Sequence, residues 1–168
     1  MSTSPLFRYT GPPELAETVR PEARGRAVRT AADLEGDPGE PHTYVVDAPG
    51  LLRIAPRRSE HVACAGGAPV RAAGEISFAR DPATGWSAVE VSNLSTGYCP
   101  DLTAWPAVAA ALDRAGIRHP AAFTHAVVFR RCTSCGACNV VRDDWFVCVF
   151  CDGELPPQWN VDAGPGSA

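Results

Sequence analysis

A chain of 168 residues, 45% hydrophobic and 20% charged, suffices for one ordinary body and an appended small module, and is too short for two full-sized cores. Its formal charge of −4 argues against a body that coats nucleic-acid backbone, which needs clustered cations. The longest apolar run, residues 107 to 112, is far below a membrane span, and residues 1 to 9 lack the basic and apolar regions of a signal sequence; a reducing cytoplasm is expected, with the seven cysteines as thiols or ligands.

Residues 1–41 hold Pro5, Pro12, Pro13, Pro21, Pro38 and Pro41 among scattered charges, which predicts a flexible arm with at most a short helix over Glu14–Arg20. The body is expected over 42–130. Thr43–Val46 and Leu51–Ile54 flank Ala48-Pro49-Gly50 and read as strand, turn, strand. Ile76 and Phe78 alternate against Trp86 and Ala88 across Asp81-Pro82-Ala83-Thr84-Gly85, which predicts a hairpin with one buried face. Leu102, Trp105, Val108, Ala109 and Leu112 recur at helical spacing, with Thr103 placed to cap the helix and Gly116 to stop it. A last strand over Ala126–Arg130 completes the body. Residues 131–160 form the appended module and its tail, in which Trp159 is expected to pack back, and 161–168 read as disordered.

The plainest chemistry lies in that module. Cys132-Thr133-Ser134-Cys135-Gly136 and Cys148-Val149-Phe150-Cys151 have the spacing of a four-thiolate zinc ribbon, two C-x-x-C turns that set four sulfurs around one Zn²⁺ at about 2.3 Å. Gly136 supplies the freedom to turn backbone N–H groups toward the sulfurs. Asn139–Arg142 and Trp145–Cys148 read as two strands joined by Asp143-Asp144. Cys138 makes a second, overlapping C-x-x-C with Cys135, but a first pair there would put the glycine inside the pair and shorten the hairpin. The ligand set is therefore Cys132, Cys135, Cys148 and Cys151. Tetrahedral sulfur also suits mononuclear iron.

Between 61 and 100 the sequence reads His61…Gly67-Ala68-Pro69-Val70…Ala73-Gly74-Glu75-Ile76…Asn93-Leu94-Ser95…Tyr98-Cys99-Pro100. This resembles a module of bacterial effector and polymorphic-toxin-like proteins, with a His-Ser start, an Ala-Gly-Glu strand and a Ser-Gly-His-Tyr-x-Pro loop before a helix. The resemblance covers about 55 residues, to Gly116. Val62 stands where the module has serine, and Gly97 where it has its second histidine. It implies an arrangement in which His61, Glu75 and Tyr98 converge, and no reaction. By side-chain chemistry, a His and a Glu on neighbouring strands can serve as base and orienter with Tyr98 as acid or hydroxyl donor, and Cys99 as nucleophile if His61 lowers its pKa. The competing reading is a buried hydrogen-bonding network that fixes the loop before the helix, with Cys64 and Cys99 as small buried hydrophobes.

The expected fold is α+β: a mostly antiparallel sheet, one packed helix and a C-terminal zinc ribbon at the sheet's edge. The expected function is a cytoplasmic binding or adaptor protein for another protein, with a structural zinc and a ligand pocket in the body, a small molecule being a second class of ligand. Against it stand a small hydrolase or transferase using His61, Glu75 and Tyr98, and a nucleic-acid accessory protein, which the charge disfavours.

Overall fold

The computed structural model of the chain describes residues 4–161 and comprises two units, one ending at Ala126 and one beginning at Val127. In the first, a short helix α1 (Pro13–Glu17) precedes β1 (Arg26–Val28), β2 (His42–Asp47), β3 (Leu52–Pro56), helix α2 (His61–Cys64), β4 (Val70–Asp81), β5 (Gly85–Val91) and helix α3 (Trp105–Ala115). The strands form one antiparallel sheet in the order β1-β3-β2-β4-β5. The fold is α+β, as expected.

Local chemistry accounts for most of these elements. Gly50 takes φ +98° in the β2–β3 turn, and Asp47 closes it by accepting the Leu51 N–H at 2.8 Å while pairing with Arg53 at 2.9 Å. The β4–β5 hairpin forms over Asp81–Gly85 with Phe78 opposite Ala88 and a bulge between Ser77 and Phe78. Helix α3 buries Ala107, Val108, Ala111, Leu112 and Ala115 against β2, β3 and β4, and stops at Gly116 in the left-handed region. Its entry is a 3₁₀ turn over Leu102–Ala104 capped by Asp101, which accepts the Leu102 N–H at 2.9 Å; Thr103, expected as the cap, instead donates to the Asp101 carboxylate. An Asp side chain reaches the first free N–H as well as Thr does, and it lies nearer to it.

The segment before His42 differs from the arm expected there. It contributes the edge strand β1 and buries Phe7, Val28 and Leu34 to 1% exposure or less. Phe7 exchanges both backbone hydrogen bonds with Val70, and Thr10 donates its N–H and hydroxyl to the Gly97 carbonyl. Each such apolar side chain contributes about 1.5–3 kcal/mol on burial, which offsets the ordering of a proline-rich strand of chain. Val161 is buried, and the expectation of disorder beyond it falls on residues 162–168, outside those described.

The second unit is built on β6 (Val128–Arg131) and β7 (Cys138–Val141), antiparallel with Arg131 opposite Cys138. The strand expected to close the body sheet over Ala126–Arg130 belongs here instead. Residues 145–148, expected to pair with β7, do not: Trp145 N–H bonds to Arg142 O, and beyond that the chain leaves β7 and bridges Val147 to Glu154. Cys148 must arrive beside Cys135, and its knuckle takes the pairing that a longer hairpin would have used. Pro156 and Pro157 are held through their carbonyls by the Arg130 guanidinium, and the Asn160 amide exchanges two hydrogen bonds of 2.8 Å with the Arg131 backbone.

Candidate metal centre and body groove

The two knuckles of the second unit repeat one hydrogen-bond pattern. Cys132 N–H donates to Ala137 O and Gly136 N–H to Cys132 O; sixteen residues on, Cys148 N–H donates to Gly153 O and Asp152 N–H to Cys148 O. Gly136 and Asp152 occupy the same place in the turn and both take positive φ, +81° and +62°. The loops thereby aim backbone donors at sulfur: Ser134 and Cys135 N–H at the Cys132 Sγ, at 3.4 and 3.5 Å, and Phe150 N–H at the Cys148 Sγ, at 3.4 Å.

The sulfurs of Cys132, Cys135, Cys148 and Cys151 all lie within 4.8 Å of one another. Cys132 and Cys151 are 3.6 Å apart, as are Cys135 and Cys148. A tetrahedral ion with metal–sulfur bonds of about 2.3 Å separates its ligands by about 3.8 Å, close to these values, whereas a disulfide would require about 2 Å. Cys138, on the exposed side of β7, lies outside the group. The four cysteines expected as ligands are the four that meet.

Their thiols ionise unevenly. At Cys148 burial opposes ionisation, but hydrogen bonds from the Asn139 amide and the Phe150 and Cys151 backbone outweigh it and draw the thiol down to about 6. The Cys135 backbone N–H lowers Cys132 likewise. At Cys151 the Gly153 backbone favours the thiolate, yet the crowding sulfurs of Cys132 and Cys135 prevail and push it up to about 12. Four such sulfurs shed their protons together only when a cation neutralises them. The cradle is tight as well: a Cβ on Gly153 would stand 3.2 Å from the Cys151 Sγ and 3.4 Å from the Cys132 Sγ.

Asn139 is the residue that sequence reasoning missed. Buried to 3% exposure on β7, it donates to the Cys148 Sγ at 3.4 Å and to Ala137 O at 3.2 Å, and accepts the Val149 N–H at 2.9 Å. One side chain thus ties the first knuckle to the second and orients a ligand sulfur, the task of an outer-shell partner. Only its polarity in an otherwise apolar strand between the pairs could have marked it. Around the sulfurs pack Val141 and Leu155, with Val128, Ala137 and Phe146 beside them, a small core in which the ligands are major members.

In the body, His61, Glu75 and Tyr98 each bond to a different partner. His61, at the start of α2, bonds through Nε2 to Gly74 O at 2.8 Å, and burial holds its pKa below the ordinary value. The Tyr98 hydroxyl is buried and donates to Ala68 O at 2.7 Å; burial drives its pKa up. Glu75 is half-exposed and pairs with Arg57 at 3.2 Å. Each side chain answers to main chain or to arginine, and none of the three hydrogen-bonds to another among the described residues. The loop before α3 is fixed from within: buried Asn93 donates to Pro100 O, and the Ser95 hydroxyl accepts the Tyr98 N–H. Cys99 sits in this loop at φ +47°, buried, its Sγ against Thr96 O; buried Cys64 has its thiol pushed up to about 12.

Gly97 has a physical role of its own. A Cβ there would come within 2.6 Å of the Tyr9 ring, which stacks edge-on to Tyr98 with centroids 5.6 Å apart. No side chain as large as histidine fits at position 97 while Tyr9 is in place. A separate groove of about 520 Å³ runs along β4 and β5, lined by Glu75, Ser77, Glu90, Leu94, Thr124 and His125 among others. Of the three residues expected to converge, it takes in Glu75.

No protein-family model matches the chain, and comparison with curated proteins and with solved structures finds no match either. The effector-like resemblance of the middle region draws no support from them. No described helix is long and apolar enough to cross a membrane.

Proposed function

We propose that this protein is a zinc-ribbon binding protein of the cytoplasm, in which one Zn²⁺ held by Cys132, Cys135, Cys148 and Cys151 fixes the C-terminal unit as a recognition surface for another protein. The observation that carries the reading is the meeting of four sulfurs within 4.8 Å on two knuckles of matching hydrogen-bond pattern. Zinc is preferred over iron because a closed tetrathiolate with a small apolar core and an amide-oriented ligand suits a metal that holds structure and does no redox work. The metal's part is folding free energy, about 10–16 kcal/mol in isolated zinc modules, far more than so few core side chains supply.

An enzymatic role for His61, Glu75 and Tyr98 has less behind it, because the hydrogen bonds of His61 Nε2 and the Tyr98 hydroxyl run to the Gly74 and Ala68 carbonyls and that of Glu75 to Arg57, and none runs from one of the three to another. The groove beside Glu75 is the place in the body for a small-molecule ligand. Elemental analysis of protein purified without added metal tests the main reading. One zinc per chain, lost on Cys→Ser at any of the four ligands and kept in Cys138→Ser, is expected; iron, or no metal, would refute it.

A further inference from the structure

Among the described residues, the large hydrophobic side chains most open to solvent are Val149, Phe150 and Trp145, at 74%, 72% and 69% exposure; the next, Val89, reaches 47%. All three fall between residues 145 and 150 of the ribbon. Between them Phe146 turns inward onto the sulfur core, under the Arg130 guanidinium. The outward groups are also held in place, since Val149 N–H bonds to Asn139 and Phe150 N–H to the Cys148 sulfur. A main chain fixed in this way loses little freedom when a partner covers the side chains it carries.

Charge states what that partner carries. Asp143, Asp144 and Asp152 are exposed and flank the three apolar residues. Each has positive φ, +52°, +56° and +62°, where glycine or asparagine sits with less strain, and the matching place in the first knuckle is glycine. Between residues 142 and 154 one arginine stands against four carboxylates. Arg130 and Arg131, the other cations of the described ribbon, bond to the carbonyls of Pro156, Pro157, Val161 and Gly136. The exposed stretch from 142 to 154 therefore combines apolar side chains with net negative charge, and it repels phosphate.

We infer that Trp145, Val149 and Phe150, flanked in the chain by Asp143, Asp144 and Asp152, dock a protein surface that presents arginine or lysine side chains around an apolar cleft. This rests on the reading of the ribbon as a zinc-held recognition unit. The test is titration of ¹⁵N-labelled, full-length protein with a peptide of alternating arginine and leucine, with metal content measured on every sample. Backbone signals of residues 143–152 should shift, with affinity falling as salt rises. Asp143→Asn/Asp144→Asn/Asp152→Asn, which keeps the turns and removes the charge, should weaken binding about tenfold, and Val149→Ser/Phe150→Ser should abolish it. A zinc-loaded protein whose ribbon signals do not move, or move equally for a glutamate–leucine peptide or a single-stranded oligonucleotide, overturns the inference and leaves the zinc reading intact. So does concentration-dependent dimerisation lost in Phe150→Ser, which assigns the surface to a second copy. A metal-free parent protein overturns the zinc reading and the inference with it.

Discussion

Replacing Asn139 with alanine separates an outer-shell role at the metal from simple packing. The substitution removes a charge-assisted N–H···S bond to Cys148, worth about 1.5–3 kcal/mol, and leaves the Ala137 carbonyl and Val149 N–H without a side-chain partner. Val149 is exposed, so its N–H regains water and adds little. The net loss of about 1.5–3 kcal/mol corresponds to roughly a 10- to 100-fold fall in zinc affinity. Competition against a chromophoric chelator near neutral pH reads this directly. Asn139→Asp keeps the acceptor for Val149 but sets a carboxylate against the Cys148 thiolate, and should bind zinc more weakly than the alanine variant. Zinc affinity within twofold of the parent in both variants would refute the reasoning and make Asn139 a packing residue only.

Phe7→Ala should lower stability by about 3–5 kcal/mol in denaturant titration, and a chain starting near residue 42 should lose the body's cooperative transition, since it lacks Phe7, β1 and Leu34; an unchanged midpoint would return residues 4–41 to the status of an arm. Glu75→Gln should cost less than about 1 kcal/mol, because its Arg57 partner is 69% exposed at the side chain. Buried His61 is held below its ordinary pKa of 6.5, so its neutral form is what the fold keeps; its contribution is complete above that pH and falls as pH drops below it, and thermal melts from pH 7.5 to 5.5 should show the parent losing ground to His61→Gln. A parallel loss in both proteins would show that His61 is not the group responsible. Gly97→His should destabilise the body by displacing Tyr9, seen as a lowered melting temperature, and removing the ring with Tyr9→Ala in the same chain should recover part of the loss.

Features whose physics is local were legible in the sequence. C-x-x-C followed by a residue of positive φ is a complete chemical instruction, as is Asp-Pro-x-x-Gly between alternating runs, and both the sulfur cluster and the β4–β5 hairpin follow from them. What was not legible depends on partners far along the chain. Nothing around Phe7 announces Val70, sixty-three residues away, and a proline-rich stretch gives a composition that argues against burial. Asn139 was hidden for a related reason: its worth comes from touching Ala137, Cys148 and Val149 at once, and in the sequence it is one polar residue in a strand. The failed pairing of 145–148 with β7 shows the cysteine knuckle prevailing over strand propensity, since the chain bridges Val147 to Glu154 instead. His61, Glu75 and Tyr98 were grouped by analogy, while their hydrogen bonds are each set by the nearest carbonyl or guanidinium.

The pairing of Phe7 with Val70 and of Thr10 with Gly97 also sets an order of events during synthesis. Residues near the front of the chain emerge from the ribosome several seconds before the segments that receive them, at about 5–20 residues per second. For that interval Phe7 and Tyr9 have no seat, because Val70 and Tyr98 have yet to be made. Residues 7 to 10 thus dock no earlier than Val70 and Gly97 are made, so a bulky group attached ahead of them would burden maturation more than the finished fold.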